Sequence, residues 1–492
     1  MNYRLISRLL GYTTFALTAA LIVSALCGIV YWGDVETELD ALIGFAWAIG
    51  ISLFLGIALV VAGRGADDRF FRKEAFALIG NSWLIASVLG AVPYLMVLPG
   101  VSVSDAFFES VSGLTTTGAS VFTGFETWPR SLLFWRCMSQ WIGGLGVVVF
   151  FVAILSSLGA GAKMLFTNES SGTSSEVESS RIQSGAMNIL KLYLLLTLTC
   201  WSLLMLAGLD WYEGLCHAFT TIATGGFSTR SDSIAAFANP AVEWTMVVFM
   251  LIGGTSFLWM LKILRGHWRQ ASRNSEVRSY YMIFVLATAL IAIELAEGGH
   301  ASSLKEGLRL ASFQVASLMT SSGFASADYD DWIMPAKIVL LSVMIIGGCS
   351  GSTAGGYKVI RIVVTVKVAI LNLQRSIRPH LVRQLRIHQQ PLKESVQFGV
   401  ISYTVVLLLS TAASIFLLSV FEHNLSFETT ITAAIACLFN VGPGFDQVGP
   451  TSSYADMLPI TKVFLSILMI MGRLELYAIL ALLSPSLWRR FS

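Results

Sequence analysis

Four glycine-centred turns carry the chemistry most readily read from this chain. They are Thr115-Thr116-Thr117-Gly118-Ala119, Ala223-Thr224-Gly225-Gly226-Phe227, Thr320-Ser321-Ser322-Gly323-Phe324 and Asn440-Val441-Gly442-Pro443-Gly444. Each closes a stretch too short to cross a bilayer and too apolar for an ordinary loop: residues 105–120, 212–228, 308–326 and 427–445. Aligned on Gly118, Gly225, Gly323 and Gly442, the turns recur at intervals of 107, 98 and 119 residues. Glycine reaches positive φ and can present carbonyls inward. Four such sets around one axis can replace the hydration shell of a cation. The short helix before each turn points its partly negative C-terminus at the same place. The candidate filter residues are therefore Thr116, Thr117 and Gly118; Ala223, Thr224 and Gly225; Ser321, Ser322 and Gly323; and Asn440, Val441 and Gly442. One Thr-Thr-Gly alone would carry little weight, since connecting loops are full of glycine. Four at a fixed period define an architecture.

The elements that must position these turns are membrane helices. The chain of 492 residues is 55% apolar and 13% charged, against about a quarter charged in soluble domains. Apolar runs at 9–31, 42–62, 76–98, 132–158, 187–209, 241–263, 280–297, 335–368, 396–420 and 459–485 predict ten crossings. The first run is too long for a signal h-region and reads as a retained anchor. Arg4 and Arg8, the set Lys262, Arg265, Arg269, Arg273 and Arg278, the set Arg375, Arg378, Arg383, Arg386 and Lys393, and Arg489 with Arg490 all fall on one side, expected to be cytoplasmic. Asp34, Glu36, Glu38, Asp40, Asp328, Asp330 and Asp331 fall on the other. The fold class is thus an all-α polytopic membrane protein. Four span–pore helix–turn–span units surround one pore and follow an N-terminal helix pair. The expected divisions are 1–70 for the pair, 71–160, 161–266 with its preceding linker, 267–385, and 386–492. Ser156–Ser184, rich in Gly, Ser and Thr, reads as a cytoplasmic linker. Net charge is only +2, which gives no sign of a nucleic-acid partner, and the six cysteines form no C-x-x-C pair and read as packing residues.

A second landmark follows each turn: Ile142-Gly143-Gly144, Ile252-Gly253-Gly254, Ile346-Gly347-Gly348 and, in the fourth copy, Met471-Gly472-Arg473. In the third copy glycine continues through Gly347, Gly348, Ser350, Gly351, Ser352, Thr353, Gly355 and Gly356. Such a run interrupts a helix, and its freed backbone must face protein or water. Packing against a neighbouring helix is the plainer alternative. Arg473 stands where the other copies have glycine; an arginine at mid-bilayer costs roughly 2.5–3.5 kcal/mol and marks a functional candidate. Facing the pore, it could donate to carbonyls of the glycine-rich stretch. Glu109, Asp328, Asp330, Asp331 and Asp446 lie near the outer mouth, with Glu109 expected to have a fixed structural role.

Two catalytic motifs hide in the same stretch. Gly348-Cys349-Ser350-Gly351 matches an intramembrane serine protease pattern, which needs a histidine base on a neighbouring helix. Of His217, His267, His300, His380, His388 and His423, only His217 lies in an apolar segment, and on the opposite side. A phosphate-cradling nest lacks the Gly-Lys-Ser/Thr that would complete it. The expectation is no enzyme. No span carries the periodic arginines of a voltage sensor.

Phe107-Phe108-Glu109-Ser110-Val111-Ser112-Gly113-Leu114-Thr115-Thr116-Thr117-Gly118-Ala119 resembles the first pore loop of the Trk/Ktr/HKT superfamily of potassium transporters. Gln140-Trp141-Ile142-Gly143-Gly144-Leu145-Gly146, Ala223-Thr224-Gly225-Gly226-Phe227-Ser228 and Asn440-Val441-Gly442-Pro443-Gly444 resemble it too. The likeness spans about 75–485, and the extra N-terminal pair points to the bacterial Trk-type branch (TrkH or TrkG). It implies potassium uptake across a bacterial inner membrane, with both termini cytoplasmic and K+ as the transported ion held only at the filter. It implies a homodimer with one pore per subunit, and a cytosolic RCK-type (TrkA-like) partner. A regulatory nucleotide, ATP/ADP or NAD, would sit on that partner, with no cofactor bound covalently to this chain. In this superfamily a serine at the first filter glycine tends to favour sodium, so glycine at all four points to potassium. The family's counterpart of 347–356 is an intramembrane loop that obstructs the pore. The alternative is potassium symport coupled to protons or sodium.

Overall fold

The computed structural model describes residues 2–31, 37–66, 72–157, 175–381, 384–387, 390–476 and 479. Most of the expected linker, together with Asp34, Glu36, Arg383, His388, Arg489, Arg490 and the end of the last span, lies outside them.

The short helices form as expected: Val103–Leu114, Trp211–Ile222, Leu304–Met319 and Phe427–Leu438. Each starts from a side-chain cap. Ser102, Asp210, Ser303 and Ser426 accept the amides of Asp105, Glu213, Glu306 and Thr429 at 3.1, 2.6, 3.3 and 3.1 Å. An acidic residue in every first turn (Asp105, Glu213, Glu306, Glu428) complements the helix dipole. The outgoing spans begin within one residue of Pro129, Pro240, Pro335 and Pro459, where a missing N–H costs nothing.

Six described helices are long and apolar enough to cross a membrane: Tyr3–Val30, Glu38–Ala62, Glu74–Val97, Gly185–Leu206, Ser275–Glu297 and Glu394–Phe421. The outgoing spans supply the other crossings, and three of them break. Pro240–Gly253 and Phe257–Leu264 meet at 96°. The third copy stops at Ile346 and resumes at Val359, with 347–358 non-helical. The fourth ends at Arg473. Only the third break was expected. The continuous spans expected over 241–263 and 459–485 are corrected: Gly253-Gly254 followed by Thr255-Ser256 ends one helix, and Glu475 and Leu476 at φ 55° and 45° turn the other. A two-residue antiparallel pairing, Arg386–Ile387 with Gln390–Pro391, is the described β-structure.

The N-terminal pair braces the first unit. Buried Glu38 accepts the amides of Arg130 (3.0 Å) and Ser131 (3.2 Å), capping the first outgoing span. All six cysteines are buried and free.

Candidate functional site: a ring of four turns and the loop beneath it

The four turns share one backbone conformation, and it fixes their register. Thr116, Thr224, Ser321 and Asn440 adopt φ of 53°, 53°, 54° and 55°. Two residues on, Gly118, Gly226, Gly323 and Gly442 adopt 84°, 85°, 77° and 96°. The amides between them, of Thr117, Gly225, Ser322 and Val441, donate to the carbonyls of Ser112, Thr220, Ser317 and Ala436 at 2.9, 2.8, 2.7 and 2.8 Å. This corrects the second turn. Gly226, not Gly225, matches Gly118, so the intervals become 108, 97 and 119, and Ala223 falls level with Thr115. Only the left-handed requirement tells the two glycines apart.

The turns meet around one axis. A Cβ on Gly118 would strike the carbonyl oxygen of Gly225; on Gly226, that of Ser322; on Gly323, that of Val441; and on Gly442, that of Thr117, all closer than 3.0 Å. The chain of close approaches runs from unit one through four and closes on one. Buried carbonyls normally have donors. Those of Thr117, Ser322 and Val441 accept no hydrogen bond from a described residue, and that of Gly225 accepts one from Gln140. Above the ring opens a cavity of about 100 Å³ whose lining includes Gly118, Gly226, Gly323 and Pro443.

A polar sleeve holds the turns from behind. Gln140 Nε2 donates to Gly225 O at 2.6 Å, and its Oε1 accepts Phe227 N at 3.1 Å. Asn440 Nδ2 donates to Thr117 Oγ1 (2.9 Å) and Met469 O (2.8 Å), tying the fourth turn to the first. Thr115 and Thr117 hydroxyls pair at 2.7 Å, Thr320 and Ser322 at 2.8 Å, and Tyr454 Oη donates to Gly442 O at 2.8 Å. The role of Gln140 was not legible in the sequence, because the carbonyl it serves is 85 residues away.

Glu109 has the structural place expected of it. It accepts Arg136 Nε (2.7 Å), the Ser120 hydroxyl (3.1 and 3.0 Å) and Val121 N (3.2 Å), bracing the chain leaving the first turn. Arg136 in turn donates to Ser228 O at 2.9 Å and lies over Phe227, 3.5 Å from the ring centroid. Both side chains are almost wholly buried. Arg136→Ala leaves the Glu109 charge buried and unpaired, so we expect a loss of about 3–5 kcal/mol, read as a lowered Tm of the purified protein.

Three of the outer acids, Asp328, Asp330 and Asp446, are anchored, whereas Asp331 is exposed. Asp330 Oδ2 accepts Asp446 N (3.0 Å), Asp328 accepts the Thr451 hydroxyl (3.0 Å), and Asp446 accepts the Thr429 hydroxyl (2.9 Å). Burial raises the Asp330 carboxyl from 3.8 to about 6, against the lowering effects of the Asp446 amide and Lys337. The fold favours its protonated form, so Asp330 gains its charge as pH rises through about 6. It lies against Gly449, which lines the outer cavity. Lowering external pH from 7 to 5 should therefore weaken the apparent affinity for the external cation, and Asp330→Asn should flatten that step in an initial-rate assay.

Below the ring, Gly347, Gly348, Ser350, Gly351, Ser352, Thr353, Gly355 and Gly356 form one loop that runs between units. Cys349 N donates to Gly254 O (2.9 Å), Phe257 N to Gly351 O (3.0 Å), and Ser350 N to Glu276 Oε1 (2.6 Å). The Thr353 hydroxyl donates to Ile222 O (3.0 Å), at the end of the second pore helix. Gly355 N donates to the Ser321 hydroxyl (2.5 Å), and Gly356 N to Phe439 O (3.0 Å), just past the fourth pore helix. Units two and four are opposite in the ring, so residues 353–356 pass across its underside. Arg473 lies level with Gly144, Gly254 and Gly348; its Nη1 donates to Thr353 O (2.6 Å) and its Nη2 to Gly143 O (3.3 Å). Glu475, two residues on, pairs instead with Arg361 at 2.5 Å.

Comparison with known proteins bears on this geometry. The model of the TrkH family, described as a cation transport protein, matches residues 49–490. The Trk system potassium uptake protein TrkH of Escherichia coli K12 is 30% identical over 99% of this chain and all of its own length. That of Halomonas elongata is 31% identical over the whole of both chains. The crystal structure of the potassium transporter TrkH from Vibrio parahaemolyticus superposes with a TM-score of 0.89 at 30% identity, covering 99% of this chain and all of that one.

Proposed function

We propose, for a chain that belongs to the TrkH family of cation transport proteins, that it takes up potassium through the ring of four turns and that residues 347–356 with Arg473 gate it. The observation that carries the reading is the closed circuit of carbonyls from Thr117, Gly225, Ser322 and Val441, three of which have no donor among the described residues. Such oxygens fit a dehydrated alkali cation. Full-length relatives named as potassium uptake proteins support the choice of ion. So does glycine at all four ring positions, given the superfamily trend described above. In this reading the filter comprises Thr116, Thr117, Gly118, Thr224, Gly225, Gly226, Ser321, Ser322, Gly323, Asn440, Val441 and Gly442. Ala223, level with Thr115, is left out of it.

The gate reading rests on where the loop runs. Residues that cap the pore-helix ends from below also occupy the route of an ion leaving the ring. Arg473 adds a positive charge that repels a cation there. The divisions at 70, 160, 266 and 385, the homodimer, the inner-membrane location with cytoplasmic termini, and the RCK-type nucleotide-binding partner belong to the same proposal. Purified protein in sealed vesicles should admit rubidium, with potassium competing far better than sodium. Reversal potentials should follow the potassium gradient alone. A reversal potential that moves with an imposed proton or sodium gradient would favour coupled symport.

A further inference from the structure

The segment after the 96° break has no role in the ring, yet it holds the loop. Phe257–Leu264 turns away from the span that precedes it, and Trp268–Ala271 folds back against it, with Trp259 Nε1 donating to Ala271 O at 2.9 Å. Residues 257–274 carry Lys262, Arg265, Arg269 and Arg273 and contain no Asp or Glu. Arg265 and Arg269 are exposed, and so are their neighbours Leu264 and Trp268, each 65%. Base-rich helices flanked by exposed tryptophan and leucine lie in the headgroup layer of an anionic membrane surface. A water-facing helix would expose Arg265 and Arg269 without Leu264 and Trp268.

Both ends of this segment grip the loop. At its start, Gly254 O accepts Cys349 N (2.9 Å) and Phe257 N donates to Gly351 O (3.0 Å). Just past its end, Glu276 Oε1 accepts Ser350 N (2.6 Å). We propose that residues 257–274 form a binding surface for anionic phospholipid headgroups of the inner leaflet, and that lipid bound there holds the loop across the underside of the ring. The proposal rests on the gate reading above and on the basic side being cytoplasmic. A ligand that binds only the docked arrangement favours it. Anionic lipid therefore lowers basal flux. This sign is opposite to that of simple surface charge, which concentrates cations at the membrane and raises flux.

The test uses the full-length protein in vesicles of phosphatidylcholine alone and of phosphatidylcholine with an equal share of phosphatidylglycerol. Rubidium flux is measured for the native chain, for Arg265→Gln/Arg269→Gln, and for a chain lacking residues 350–355. The native chain should pass roughly three- to tenfold less rubidium in the anionic vesicles, since each basic residue near the surface adds to the attraction. The double variant should lose most of that difference, and the deletion should give high flux in both lipids. Equal native flux in the two lipids, or a difference the double variant retains, overturns the lipid proposal while leaving the gate intact. So does dependence on these arginines seen only with an added cytosolic protein, which assigns the surface to that protein. A deletion that fails to raise flux overturns the gate reading itself.

Discussion

Replacing Gly226 with alanine reduces rubidium uptake to the background of protein-free vesicles, while Gly225→Ala leaves measurable uptake. The two glycines are adjacent, but their surroundings differ in kind. At Gly226 φ is 85°, which an alanine adopts only with strain, and its Cβ would fall on the Ser322 carbonyl oxygen. That oxygen belongs to the ring and cannot retreat without opening it. At Gly225 the space is filled by the amide of Gln140, a side-chain end that can move aside. Uptake by Gly225→Ala falls because Gln140 gives up its hydrogen bond to the Gly225 carbonyl. Gln140→Ala should show a similar partial loss, and the double substitution should be little worse than either single one, because both remove the same contact. If Gly225→Ala abolished uptake and Gly226→Ala were tolerated, the register derived from the backbone would be wrong.

Arg473→Ala raises basal flux. The guanidinium joins the loop at Thr353 to the first outgoing span at Gly143, so its removal severs a tie between two opposed parts of the pore wall. A hydrogen bond to a charged group is worth about 1.5–3 kcal/mol, so losing the 2.6 Å bond to Thr353 shifts a loop equilibrium roughly tenfold or more toward the displaced state. In the proposed reading the alanine also removes a positive charge from the ion's route. Arg473→Lys keeps that charge but cannot reach Thr353 and Gly143 together, so an intermediate flux separates the two contributions. Unchanged flux in a well-folded Arg473→Ala would remove this residue from the gate.

The architecture was legible in the sequence because it repeats. Four short apolar stretches ending in glycine turns placed every pore helix, and the long glycine run announced the third break. The position of Arg473 against glycine in the other copies survives in three dimensions, where Gly143 and Gly472 each pack on the final carbonyl of their own pore helix, at Leu114 and Leu438. What stayed hidden depended on conformation or distance. Gly225 and Gly226 are the same residue type, and only φ separates them. The bend after Gly254 needed no proline, and Thr255-Ser256 gave no more than a weak stop signal. Gln140, Asn440 and Glu276 act on backbone atoms 85, 323 and 74 residues away or on side chains as remote, which no local pattern reports. Ser102-x-x-Asp105, Asp210-x-x-Glu213 and Ser303-x-x-Glu306 are capping sequences, a local signal that marks where three pore helices begin.

In the proposed filter the carbonyls of Thr117, Gly225, Ser322 and Val441 together hold one dehydrated cation. Crystals of the full-length protein grown in rubidium, with data collected at the rubidium absorption edge, test it most directly. The account predicts an anomalous peak on the axis of the ring, lost when sodium replaces rubidium. Rubidium found only away from the axis, or an axis without a peak in protein that transports rubidium in vesicles, would contradict it.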